Sequence, residues 1–146
     1  MKKILCICLG NICRSPMAAG ILKKVSEDIG MPMQVDSAGT AAYHNGEPAH
    51  RLSIKVANEF GVDISAHRAQ PFKLEFFDQY DLLLCMDFDH VQSLREKARS
   101  EEDLKKIHLY RIDQTIIDDP YYKGESDYVV MYHRLMEDAL YWVKFS

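Results

Sequence analysis

The feature that most constrains this chain is its opening: an apolar run, Lys3 to Cys8, turns through a short Gly-containing loop into a segment with Met17, Ile21, Leu22 and Val25 at helical spacing. This reads as strand, loop, helix, with Pro16 in the first helical turn, where its missing N–H costs nothing, and Ser15 as the N-cap. The alternation continues. Met33 to Ser37 reads as a second strand, followed by the loop Ala38-Gly39-Thr40. Glu47 to Phe60 reads as a helix, with Leu52, Ile54, Val56 and Ala57 apolar and Gly61 as its stop. Tyr80 to Met86 is an almost uninterrupted apolar run, as in a strand buried on both faces of a parallel sheet. Asp87 to Lys97 and Glu101 to Lys106 read as helical, Ile107 to Leu109 as a short last strand, and Asp127 to Phe145 as an amphipathic helix closing the chain after the break at Asp118-Asp119-Pro120. The pattern predicts an α/β fold in three layers: an open, parallel, four-stranded sheet with helices on both faces. In such sheets ligands sit at the carboxyl ends of the strands, where the loop after Cys8 falls.

At 146 residues the chain fits one domain spanning 1–146, large enough to hold a rigid site. Its net charge of −4 argues against broad nucleic-acid binding, which needs a stripe of Lys and Arg. Apolar runs such as Leu82 to Met86 are too short to cross a bilayer, so no membrane partner is expected. Met1-Lys2-Lys3 does not begin a signal peptide, and a cytoplasmic location is the expectation. Cys6, Cys8, Cys13 and Cys85 do not make a secreted disulfide framework, because three of the four crowd into eight residues. The six histidines are scattered, so neither a metal nor another cofactor is expected.

The sequence from Cys8 to Ser15 sets a thiol and a guanidinium five residues apart, directly after a strand and directly before a helix. A loop this short can turn the backbone N–H groups of Leu9, Gly10, Asn11, Ile12 and Cys13 inward. With the helix N-terminus they would form a nest for a tetrahedral dianion, with Cys8 at its floor. Inward N–H groups, the helix dipole and a nearby Arg14 favour the thiolate form of a cysteine. Arg14 offers a planar fork for two phosphoryl oxygens, which Lys cannot reproduce. The Ser15 hydroxyl can give its hydrogen to the thiolate. A cysteine that ends a buried strand is more often a packed small hydrophobe. Gly10, Asn11 and the Ser15-Pro16 helix start each suit a tight anion-binding turn instead. A carboxylic acid on a separate loop could supply a proton to a leaving group; Asp119 is the candidate, with Asp118 its nearest competitor and an ordinary Asp-Pro turn the alternative.

The stretch Cys8-Leu9-Gly10-Asn11-Ile12-Cys13-Arg14-Ser15-Pro16 resembles the signature of the low-molecular-weight protein tyrosine phosphatases. The resemblance continues in order through Asp36-Ser37-Ala38-Gly39-Thr40, His67 in Ser65-Ala66-His67-Arg68, Cys85-Met86-Asp87 and Asp119-Pro120-Tyr121-Tyr122. It implies hydrolysis of phosphotyrosine or a small aryl phosphate through a cysteinyl-phosphate on Cys8. Arg14 is implied as the phosphate clamp, Asp119 as the proton donor, and phosphate-like oxyanions as inhibitors. It further implies that Ser37 and His67 hold Asn11, that Tyr121 and Tyr122 wall the cleft, and that Cys13 can form a protective disulfide with Cys8. Tyr43 matches a position that is often Trp at the mouth of the family's site. Ile12 stands where the branch resembling phosphoarginine phosphatases carries a small polar residue, and its bulk favours a flat ring. Arsenate reductases share the loop but relay a disulfide along additional cysteines, and the segment from Phe88 to Ser100 offers none. A silent phosphate-binding module is the other rival.

Overall fold

The computed structural model describes residues 1–145 and contains one sheet of four parallel strands in the order β2-β1-β3-β4. The strands are β1 (Lys3–Cys8), β2 (Gln34–Gly39), β3 (Leu82–Cys85) and β4 (Ile107–Leu109). The helices are α1 (Arg14–Asp28), α2 (Arg51–Glu59), α3 (Phe76–Gln79), α4 (Phe88–Lys97), α5 (Glu101–Lys106) and α6 (Glu125–Lys144). This is the three-layer α/β arrangement that the alternating pattern predicts.

Alternate residues of β1 feed the two outer layers, as the two-residue side-chain period of a strand requires. Ile4, Cys6 and Cys8 join Met17, Ile21 and Leu22 of α1, Val56 of α2, and Met131, Leu135 and Trp142 of α6. Leu5 and Ile7 face the other way, toward Phe76 and Phe77 of α3, Leu94 of α4, and Cys85. Central strands covered on both faces leave no room for polar alternation, and β3 is buried along its whole length.

The boundaries depart from the sequence reading where pairing or proline intervenes. β2 runs on to Gly39 because it stays in register with β1 to its end, Gly39 standing opposite Cys8. α2 starts at Arg51 and not at Glu47: Pro48 disfavours a helical residue before it, and the His50 ring accepts the Leu52 N–H as the cap. The expected N-cap role of Ser15 is not met. α1 begins two residues earlier, at Arg14, with Cys13 in the cap position and no side-chain cap. The Ser15 hydroxyl is turned into the site instead.

Strand order places the functional loop. The chain leaves β1 for a neighbour on one side (β2) and returns on the other (β3), so the carboxyl end of β1 is a switch point, open between diverging connections.

Candidate active site

Cys8 ends β1, and the next residues curl over it before α1 starts. The loop's carbonyls point outward to fixed partners. Those of Cys8 and Leu9 accept from the N–H groups of Thr40 and Ala41, that of Asn11 from His67 Nε2, that of Ile12 from the His50 N–H, and that of Cys13 from the Ser53 hydroxyl. In a trans peptide the N–H points opposite to the carbonyl, and there are no cis peptides here. The N–H groups of Leu9, Gly10, Ile12, Cys13 and Arg14 are therefore turned to the other side, toward the cleft. Together with the α1 N-terminus they make an anion-binding concavity.

Asn11 is the keystone of this loop. Its φ of +60° is a left-handed conformation that Asn tolerates better than most residues. Its Nδ2 donates to Ser15 Oγ at 2.7 Å and to Ser37 Oγ at 2.9 Å, while its Oδ1 accepts the Gln70 N–H at 2.9 Å. The Gln70 bond fixes which end of the amide carries the hydrogens. The contact of 2.7 Å from His67 Nε2 to the Asn11 carbonyl requires the proton on Nε2. Burial, aided by the neighbouring Arg68 charge, pushes the His67 pKa down, which favours the neutral Nε2–H tautomer. Ser37 and His67 thus stand where the family resemblance puts them. Gln70 was not foreseen; it lies far from the loop in sequence and acts mainly through its backbone, which carries no sequence signal.

The Cys8 sulfur lies 2.9 Å from Ser15 Oγ. Since Ser15 Oγ already accepts from Asn11, its own hydrogen is free to point at the sulfur. Arg14 is 4% exposed, and its Nη1 donates to the Ile117 carbonyl at 3.0 Å. The guanidinium also lies 3.6 Å from an Asp119 carboxylate oxygen and 3.9 Å from one of Asp87. Asp119 comes from the loop between β4 and α6 and is fixed at its other oxygen by the Tyr121 N–H at 3.1 Å. Its carboxylate is 44% exposed, at the open side of the cleft.

The cleft measures about 320 Å³ and is lined by Cys8 to Arg14, Tyr43, His44, Asp119, Tyr121 and Tyr122. Asp118, the competitor for the acid position, lines a separate small cavity with Pro120, Asp127 and Arg134. The Tyr121 and Tyr122 rings meet edge to face at 4.7 Å, and Tyr122 is 95% exposed, so the tyrosines form a rim and not core. Tyr43 is exposed at the mouth. His44 is a lining residue that sequence reading missed: its Nδ1 is 2.9 Å from Glu47, its ring faces Tyr121, and a Cβ on Gly10 would sit 2.9 Å from it.

All four cysteines are free thiols. Burial pushes the Cys13 pKa up to about 12, and its sulfur lies 3.4 Å from the Tyr128 hydroxyl. Cys6 and Cys85 are fully buried, and burial raises both thiols well above the ordinary range. Cys85, on β3, packs on the face of the sheet opposite to that of Cys8. Among the described residues, no group of three or more His, Cys, Asp or Glu is placed to hold a metal ion, and no helix is long and apolar enough to cross a membrane.

An oxyanion-shaped loop with a thiol beneath it, an arginine beside it and a carboxylate across it is the site of a phosphatase-type enzyme. Comparison with known proteins agrees. The family model for low molecular weight phosphotyrosine protein phosphatase matches residues 3–144. The human low molecular weight phosphotyrosine protein phosphatase is 36% identical over 140 residues, covering 91% of this chain and 88% of its own. Vibrio vulnificus Wzb, solved in complex with benzylphosphonate, superposes with a TM-score of 0.88 at 36% identity, over 98% of this chain and 97% of that one. The low molecular weight protein tyrosine phosphatase of T. tengcongensis does so with a TM-score of 0.91 at 31% identity, over 99% of both chains. The chain belongs to the low molecular weight phosphotyrosine protein phosphatase family and is a protein-tyrosine-phosphatase enzyme.

Proposed function

We infer that the chain, acting as one domain over residues 1–146, hydrolyses phosphotyrosine or other aryl phosphate monoesters through a phosphoenzyme on Cys8. The observation that carries this reading is the placement of the Cys8 sulfur, 2.9 Å from the Ser15 hydroxyl, beneath a ring of inward-turned N–H groups that ends at Arg14. The phosphoryl group would rest on those N–H groups and on the Arg14 fork, both already in place before substrate arrives. The Cys8 thiolate attacks phosphorus, and the bond from phosphorus to the aryl oxygen breaks. Asp119, as a carboxylic acid, gives its proton to the departing oxygen. Then the Asp119 carboxylate takes a proton from water, the water oxygen bonds to phosphorus, and the phosphorus–sulfur bond breaks. Ser15 receives the returning thiolate with its hydroxyl hydrogen.

The ring bound to the phosphate would lie between Tyr121 on one side and Tyr43 on the other, with Ile12 in the wall. An apolar Ile12 supports an aryl substrate over a guanidino phosphate. The benzylphosphonate bound to Vibrio vulnificus Wzb is an oxyanion on a flat ring, and similar phosphate-like oxyanions are expected to inhibit this chain. The Cys85 placement weighs against an arsenate-type thiol relay, because a disulfide from Cys8 would have to pass through the sheet. Cys13 is the residue that could shield an oxidised Cys8 as a disulfide. A reducing, cytoplasmic setting suits four free thiols.

The proton-donor assignment is tested by Asp119→Ala with an aryl phosphate whose leaving group is a poor one. kcat is expected to fall by about 10²–10⁴-fold, with a smaller loss for a good leaving group. Asp118→Ala serves as the control and should leave kcat near wild type. Equal losses in both variants would remove Asp119 from the role.

A further inference from the structure

His50 meets three parts of the molecule at once. Its backbone N–H donates to the Ile12 carbonyl at 2.8 Å, which ties the start of α2 to the phosphate loop. Its ring Nδ1 accepts the Leu52 N–H at 3.1 Å, so the proton of the neutral ring is on Nε2 and the ring cannot turn without losing the helix cap. The ring held in this way contacts two tyrosines. It stacks on Tyr128 with centroids 5.2 Å apart and planes at 23°, and it meets Tyr121 at 5.8 Å, nearly edge on at 71°. Both distances lie in the range where aromatic rings attract one another.

The two tyrosines lead to opposite sides of the chemistry. Tyr128, on α6, is fully buried, and its hydroxyl lies 3.4 Å from the Cys13 sulfur. The hydroxyl is the better donor of the two, so Tyr128 is fastened to the phosphate loop. Tyr121 belongs to the Asp119 loop, and its N–H holds Asp119 Oδ1 at 3.1 Å. The Tyr121 ring touches those of Tyr122 at 4.7 Å, His44 at 5.9 Å and His50. Tyr122 rides on the same loop and is 95% exposed, and His44 sits on a turn at the cleft mouth. His50 is the neighbour with a footing on both a helix start and the phosphate loop.

We propose that His50 is a positioning residue for the proton donor: its ring links Tyr121 to Tyr128 and so sets the Asp119 carboxyl against the leaving-group oxygen. The inference rests on the reading of Asp119 as the general acid. Ile12 and Cys13, the two footings of the link, belong to the loop that receives the phosphoryl group, so acid and phosphate are located from one frame. A proton donor loses efficiency quickly once its distance from the accepting atom varies. Without the ring, Tyr121 and the N–H that holds Asp119 can shift, while Cys8 and Arg14 keep their own bonds to Ser15 and the Ile117 carbonyl. The defect should therefore fall on proton transfer and spare oxyanion binding.

Substitution can separate the cap from the ring. His50→Asn keeps an acceptor suited to the cap and removes the ring, whereas His50→Phe keeps a ring and removes the acceptor. kcat/KM is measured for phenyl phosphate, whose leaving group is poor, and for a nitro-substituted aryl phosphate, whose leaving group departs with little help. Both variants are compared with wild type and Asp119→Ala, with vanadate inhibition and thermal unfolding beside them. We expect His50→Asn to lose roughly tenfold on phenyl phosphate and much less on the nitro-substituted ester, with vanadate affinity close to that of wild type. His50→Phe should recover most of that loss although its helix cap is gone. A residue that only caps α2 would give the opposite order. Equal losses on both substrates in His50→Asn, no loss on either, a matching fall in vanadate affinity, or a His50→Phe variant as impaired as His50→Asn would each overturn the proposal. Asp119→Ala separates this failure from that of the general-acid reading. If its loss does not depend on the leaving group, Asp119 is not the acid and the proposal falls with it; if it does and that of His50→Asn does not, only the role of His50 is overturned.

Discussion

Asn11 concentrates the site's geometry in one side chain. It is buried, it holds a positive φ, and its amide ties Ser15, Ser37 and Gln70 together. Asn11→Ala removes these bonds, strands Ser15 and Ser37 polar atoms in the interior, and asks a residue with a Cβ but no polar compensation to stay left-handed. The expected cost is about 2–4 kcal/mol, read from chemical denaturation, with a loss of kcat/KM larger than in Ser37→Ala. Little change in either would mean the loop is held by its backbone bonds alone. At this scale much was legible in the sequence. Cys8, Arg14 and Ser15 come together because they stand at the end of β1 and the start of α1, which the hydrophobic pattern predicts, whereas Asn11 and Asp119 lie within loops and were found through the family resemblance. His44, Gln70, Asp87 and Ile117 were not legible. Two of them, Gln70 and Ile117, contribute backbone groups to the site, and all four owe their places to packing between segments distant in sequence.

Among the elements, the join of β1 and β2 decides the shape of the loop. Gly39 stands opposite Cys8 in the register, and a Cβ there would come to 2.6 Å from the Leu9 carbonyl oxygen and 3.0 Å from that of Ala41. Neither neighbour is a flexible side chain that could move aside, so Gly39→Ala must displace the phosphate loop itself. The prediction is a fall in kcat/KM and in oxyanion affinity that exceeds what the stability loss would suggest, measured by vanadate inhibition beside thermal unfolding. Unchanged vanadate affinity would contradict it. The periodicity located every strand, since short apolar runs bounded by breakers have few other readings. It passed over α3, whose four residues are too few to display a helical period. It also mistook the start of α1: Ser15 looks like a cap, but its hydroxyl accepts from Asn11 and lies against the Cys8 sulfur.

For the whole molecule, one buried histidine and three half-buried ones shape how stability depends on pH. Burial, with the positive charge of Arg14, holds the His90 pKa down at about 4, and burial lowers those of His50, His67 and His108. An unfolded histidine takes up its proton near its ordinary pKa of about 6.5, whereas the folded protein resists until lower pH. Stability is therefore full above about pH 6.5 and falls as acid drives the unfolded state to bind protons, until His90 itself protonates at about 4. Asp138, whose pKa burial raises, offsets part of this at the acid end. Urea midpoints should drop steadily across this window, and His90→Gln should flatten the slope; a profile as steep in the variant would assign the effect elsewhere.

The central claim is that Cys8 does the chemistry without help from a metal. It is tested most directly by aryl phosphate hydrolysis with reduced protein in excess chelator, wild type beside Cys8→Ser. The account predicts turnover by the wild type and none by the variant, which should still bind vanadate-like oxyanions in an intact loop. Turnover that survives in Cys8→Ser, or a reduced wild type that is inert, would contradict it.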